Sequence, residues 1–248
     1  MRTSLKIFFA VLLAVGMVGA YFAYPWLRTR SARTVRLFEF LDDPAAHSNW
    51  MVRSGEKCGQ APFIFPSNAY IGFIWGDSFR PGHTHTGLDM FGGEAPGITP
   101  VVAAASGFLT RLESWKSSVI IRIPSDPLQP DRQIWTYYTH MADKDGNSFI
   151  AAEFPPGTSE VFVEAGTLLG YQGNYAGSSL TPTGVHLHFS IVLDEGPSPE
   201  YPLGWFRNEI EVQNTLDPSP YFGMQLNAAE NPADIAVCNE GTPGRNLE

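Results

Sequence analysis

Four of the chain's six histidines sit in three short segments far apart in sequence, and a fifth directly precedes one of them, so a fold that uses them together must bring those segments side by side. The first segment is His85-Thr86-Gly87-Leu88-Asp89, with His83 just ahead of it. The second ends the apolar and aromatic run Trp135-Thr136-Tyr137-Tyr138-Thr139-His140. The third is Thr183-Gly184-Val185-His186-Leu187-His188-Phe189. Side chains at i and i+2 of a β-strand share a face. His186 and His188 therefore stand together while Leu187 turns to the core, and Phe189, Ile191 and Leu193 continue the alternation. His85 and Asp89 have the four-residue spacing of a helix face. Gly82, Gly87, Gly92 and Gly93 speak against a helix there, and a loop feeding a strand, bent at Gly87, is the expectation. Three ligands drawn from histidine and carboxylate, with a fourth position open to water, make a hydrolytic zinc site. The chain offers that set and further histidines for proton transfer.

The rest of the chain fits an all-β class. It holds 24 Gly and 20 Pro among 248 residues, with short β-branched runs between them. Strands are expected at residues 101–113, 118–123, 133–140, 167–171 and 185–193. Gln129-Pro130-Asp131 reads as a turn, and residues 173–184 as a rim next to the third histidine segment. Asp217-Pro218-Ser219-Pro220-Tyr221 reads as a capping or packing segment, and the chain from about Asn227 as irregular.

These motifs resemble those of the lysostaphin/LytM-type zinc endopeptidases, also called β-lytic metallopeptidases. His85-Thr-Gly-Leu-Asp89, followed by Thr99-Pro100-Val101-Val102-Ala103, is similar to the family's first signature. Tyr138-Thr139-His140-Met141 resembles the second, and the Thr183–Phe189 string the third. The resemblance runs over residues 66–193, in the family's order. It implies a compact, mostly antiparallel β-sandwich or barrel-like domain of the duplicated hybrid motif type, with the metal at the floor of a groove. It implies one zinc ion held by His85, Asp89 and His188, with His140 and His186 as the catalytic histidines. The expected reaction is hydrolysis of peptide bonds in bacterial cell-wall peptidoglycan by a zinc-activated water. The chain departs from the family pattern at Val185, where proline is usual, at Ser190, where an acid is usual, and in the run Gly97-Ile98-Thr99-Pro100-Val101. Residues 125–132 and 142–160 read as insertions, which reshape a groove more readily than they alter its chemistry.

Other readings stay open beside this one. A lone histidine is usually structural, which is the reading for His47. His83, two residues ahead of His85, is read as a surface residue or an outer partner of the site. A LytM-like module without activity, binding cell wall or activating a partner hydrolase, is the rival function, and retention of all five site residues speaks against it. Two histidines and a carboxylate also hold iron in oxygenases on β-barrels. The division of labour between His140 and His186 is not legible.

Residues 7–27 are almost wholly apolar and long enough to span a bilayer. An uncleaved anchor is the reading, with a cleaved signal peptide ending near Val18-Gly19-Ala20 as the rival. Four arginines after the stretch and two cations before it favour a cytoplasmic C-terminal side, but long domains translocate largely regardless of charge. A wall hydrolase requires the domain outside. Cys58 and Cys238 are the only cysteines, and a disulfide between them would suit an oxidising compartment. Residues 1–36 hold six of the 16 Lys/Arg and none of the 25 Asp/Glu, so the remainder carries 10 cations against 25 anions, a formal charge of −15. That excludes a nucleic-acid binder. The expected organisation is an anchor or signal segment at 1–36, a linker at 37–65, the peptidase domain at 66–195 and an extension at 196–248. The expected partners are peptidoglycan peptides and the membrane.

Overall fold

The fold is given by a computed structural model, which describes residues 32–77, 83–194, 206 and 208–229, with residues 6, 9, 12–19 and 21 near the N-terminus. Among these, the alternating runs of the sequence form strands. β1 (Tyr70–Phe73), β2 (Leu88–Phe91), β4 (Gly107–Thr110), β5 (Val119–Ile123), β6 (Ile134–Thr139), β7 (Val161–Val163), β9 (Leu187–Leu193) and β10 (Thr215–Leu216) make one sheet. Its order is β1-β2-β9-β6-β5-β4-β7, with β10 also paired to β9. β3 (Pro100–Val102) and β8 (Leu168–Tyr171) make a second, two-stranded sheet. Every named pairing is antiparallel.

Alternation sorts the large sheet into two faces. Leu88 and Met90, Val119 and Ile121, Ile134 and Tyr138, and Leu187, Phe189 and Ile191 enter the main core, joined there by Val101 of β3 and Leu169 of β8. The same core takes in Val52, Phe63 and Phe65 ahead of β1, and Tyr221, Phe222 and Leu226 behind β9. The opposite face buries Trp115, Ile120, Trp135, Tyr137, Val192, Phe206 and Val212. β9 is covered on both faces, which is why its run of seven residues is apolar except at His188 and Ser190. Among the described residues two α-helices pack on this frame: α1 (Ala32–Asp42), which packs on β1, and α2 (Ser219–Phe222), whose N-cap is Pro218.

The single strand expected over 101–113 is two strands in different sheets. Residues 103–106 turn the corner, because their backbone groups bond elsewhere. Ala103 N donates to Thr167 O, Ala104 N to the Tyr138 hydroxyl, and Ala104 O accepts from Ile64 N. Ala103 and Ala104 are fully buried, small enough to let the two sheets close over them. Residues 12–19 are helical. Among the described residues no helix is long and apolar enough to cross a membrane, and much of the 7–27 stretch lies outside them. Cys58 is disulfide-bonded, and Cys238 lies outside the described residues.

Candidate metal centre

The site lies on the second face of the sheet. β2 and β9 pair with Asp89 opposite His188, and β6 lies on the other side of β9 with Thr139 opposite His188. Because Leu88, Met90, Leu187 and Phe189 face the core, Asp89 and His188 face away from it. Gly87 serves by close approach. A Cβ there would sit 2.1 Å from Phe189 O and 2.4 Å from Ser190 Oγ, so only glycine lets the chain enter β2 against β9. His85 arrives on the extended segment before β2. Its N–H donates to Asp77 O (2.7 Å), and its Nδ1–H donates to Ile74 O (2.9 Å).

Three buried side chains then converge. Asp89 Oδ1 is 3.0 Å from His85 Nε2 and 2.8 Å from His188 Nδ1, and the two nitrogens are 3.2 Å apart. The far nitrogen of each ring is already occupied. His85 Nδ1 is bound to the Ile74 carbonyl, which can only accept, and His188 Nε2 is 2.9 Å from Ser190 Oγ. In the neutral His85 ring the Ile74 carbonyl leaves the lone pair on Nε2, aimed at a carboxylate oxygen, and where the Ser190 hydroxyl accepts from His188 Nε2 the His188 lone pair is likewise on Nδ1. Acceptors facing acceptors require a cation, either a proton or a metal ion, among them. The spacings are near the roughly 3.3 Å that separates ligands on tetrahedral bonds of about 2.0–2.1 Å, so the donor set fits zinc. Among the described residues, His85, Asp89 and His188 are the group able to hold a metal.

Electrostatics carry the same signature. Burial opposes charge on His85, yet the Asp89 charge and hydrogen bond hold its pKa above the ordinary histidine value. Burial also opposes charge on Asp89, but His85 and His186 keep its carboxyl well below the usual range. For His188 burial wins over Asp89, and its pKa is lowered.

The other two histidines adjoin this group. His186 is bridged to Gly173 at the start of β9, its Nδ1–H donates to Gly184 O (2.8 Å), and its Nε2 lies 3.4 Å from Asp89 Oδ1. Phe91 stacks on its ring at 4.9 Å. In a regular strand His140, following Thr139, would point into the core. Its φ of 72° breaks the alternation and brings its ring within 4.6 Å of the His186 ring. Its Nδ1–H donates to Tyr175 O (2.6 Å), which leaves the Nε2 lone pair free. Burial, reinforced by His186 and His188, depresses the His140 pKa to about 3.

All five residues singled out in the sequence thus meet in one buried cluster. His83 is half-buried and outside the three-ligand group, and His47 stacks on Trp50 at 3.9 Å. The residues that sequence reasoning missed are chiefly carbonyls: Ile74, Tyr175 and Gly184 fix the ring tautomers. A main-chain oxygen has no sequence signal. Phe91 was missed as well, though its period-two offset from Asp89 could have placed it on the site face.

No family model matches the chain, and no curated protein matches it. Solved structures do. The chain is similar to the catalytic domain of the antimicrobial peptidase lysostaphin from Staphylococcus simulans, at 20% identity over 62% of this chain and 92% of that one, with a TM-score of 0.39. It is similar to a candidate glycyl-glycine endopeptidase, LytM, from Ruminococcus gnavus, at 28% identity over 58% of this chain and 46% of that one, with a TM-score of 0.30. A candidate peptidase M23 from Pseudomonas aeruginosa matches at 18% identity over 76% of this chain and 61% of that one, with a TM-score of 0.33.

Proposed function

We propose that this chain is a zinc metalloendopeptidase that hydrolyses peptide bonds in bacterial peptidoglycan. The observation that carries the reading is the convergence of the inward-facing donors of His85, Asp89 and His188, with the free Nε2 of His140 and that of His186 beside them. His85, Asp89 and His188 would hold the ion. Zinc bound there would supply Lewis acidity to water and to the scissile carbonyl. His140 donates its Nδ1–H to Tyr175 O and so presents Nε2 as an acceptor towards the cluster, the position from which it would take a proton from the attacking water. His186 adjoins both His140 and Asp89, and with a second proton on Nε2 it would hydrogen-bond to the developing oxyanion or protonate the leaving amine.

The catalytic unit in this reading is residues 66–195, with the flanking segments packed onto it. Residues 7–27 anchor the chain, and the domain lies outside the cytoplasm. A Cys58–Cys238 disulfide would suit such an oxidising compartment. The formal charge of −15 beyond residue 36 gives no electrostatic hold on an anionic wall, which an anchor makes unnecessary. Purified full-length chain should release new amino groups from purified peptidoglycan. H140A and H186A should each keep their zinc while that release falls by at least about a hundredfold, the low end for removing a proton-transfer group. Undiminished release in both variants would overturn the assignment.

A further inference from the structure

Helix α1 has two apolar sides, and among the described residues only one of them is buried. The inner face carries Arg33, Leu37 and Phe40, all buried. Leu37 and Phe40 pack with Tyr70 and Phe91, with the Phe40 and Tyr70 rings stacked at 5.1 Å. Arg33 Nε lies 3.4 Å from Asp77 Oδ2. This face reaches the metal centre by two short routes. Asp77 O holds the His85 N–H, and Phe91 stacks on His186.

The outer face carries Val35, Phe38 and Leu41, exposed at 43%, 59% and 39%. At about 100° per residue, Val35 and Phe38 fall opposite the buried stripe and Leu41 on its flank. Leu27 ends the apolar stretch five residues before Ala32 begins the helix. Five residues reach at most about 18 Å. A chain anchored by that stretch therefore keeps the start of α1 within about 18 Å of the end of the apolar stretch, within reach of the lipid headgroups. Arg28 and Arg30 lie in the connecting segment, cations that anionic headgroups attract, while the exposed Asp42 falls between Val35 and Phe38 around the helix.

We propose that Val35, Phe38 and Leu41 rest on the bilayer surface among anionic headgroups, so that the domain is docked rather than loose on its tether. This rests on the anchored reading of residues 7–27. An interfacial helix buries its apolar side in the headgroup and acyl boundary while its other side stays with the protein. Here that other side is the support of His85 and His186. Docking would fix the height and orientation of the metal centre and direct it to peptides close to the membrane.

Phe162 on the edge strand β7 is 57% exposed and provides an internal reference for Phe38. The full chain would be reconstituted in vesicles of phosphatidylcholine with phosphatidylglycerol as the minor lipid, then oxidised by hydroxyl radicals. Docking predicts Phe38 labelled several-fold less than Phe162, with the protection kept at one chain per vesicle. F38E should raise labelling of Leu41 without loss of zinc. If the chain washes off in alkaline carbonate, the anchored reading fails and docking fails with it. If it stays and Phe38 is labelled as strongly as Phe162, the anchor stands and docking is overturned. Protection lost on dilution to one chain per vesicle would assign the face to a second copy and equally overturn the proposal.

Discussion

Ser190 stands where the resembled family carries an acid, and its hydroxyl is the partner of His188 Nε2. It is fully packed beneath Gly87, where no longer side chain has room without moving β2. A neutral hydroxyl orients the imidazole without adding charge to the site. Removing such an outer partner typically weakens metal affinity by about 10–100-fold. S190A should show that loss in a chelator competition; equal affinity in S190A would mean the ring is held by packing alone. His140 presents a separate backbone effect. Its φ of 72° costs a side-chain-bearing residue about 1–2 kcal/mol, which glycine avoids at the expense of some chain entropy. H140G should therefore melt above H140A, by about 2–4 °C for a net 1 kcal/mol, although both lose activity. Acid acts on the same residue. The folded pKa near 3 lies below the ordinary 6.5, so as pH falls the unfolded chain binds a proton that the fold refuses. Stability contributed by neutral His140 is present above about pH 6.5 and is lost progressively towards pH 3, at about 1.4 kcal/mol per pH unit. Urea midpoints of metal-free protein should fall less steeply between pH 6.5 and 5 in H140A than in wild type.

Among the elements, β2 and β9 set the site, since their register places Asp89 opposite His188. G87A forces a methyl group against Phe189 O, and overpacking of this kind costs about 1–3 kcal/mol. The variant should unfold at lower urea and bind zinc more weakly, because β2 carries Asp89 with it. Unchanged zinc affinity alongside lost stability would separate the strand's position from the ligand's. The legible strands were β5, β6, β8 and β9, which lie where period-two alternation and β-branched residues place them; of these β9 carries His188 and β6 leads to His140, while β2 was expected only as a strand entered from a loop. The corner at 103–106 was not legible, because its backbone bonds go to Ile64, Tyr138 and Thr167, which sequence separation hides. Strands as short as β7 and β10 give too few alternations to register. Gly87 was legible as a special position, but the reason was different: the approach of β9, not a bend in the chain.

At the scale of the whole molecule, the candidate site was readable because its side chains are chemically rare and ordered along the chain, whereas the supports were not. The second face of the sheet, the packing of α1 on β1 and the entry of Phe63, Phe65, Tyr221 and Phe222 into the main core all depend on long-range contacts that ordinary apolar residues make without a motif. The same partition explains why flanks that looked like linker and extension supply core. It also places two arginine hydrogen-bond clusters at the joints, one of them an ion pair with the buried Asp126. Arg132 binds Asp126 and the Tyr221 hydroxyl, and Arg111 binds the carbonyls of Trp115 and Phe154. The first ties the 125–132 segment to α2, and the second ties the 142–160 segment to the turn after β4. The central claim is that this frame exists to hold one zinc ion for peptide hydrolysis. It is tested most directly by measuring bound metal in the purified full-length chain and in H188A, alongside release of amino groups from purified peptidoglycan. One zinc per chain with amine release, both lost in H188A, is the predicted result. Iron in place of zinc, no metal at all, or zinc without amine release in the wild type would contradict the account.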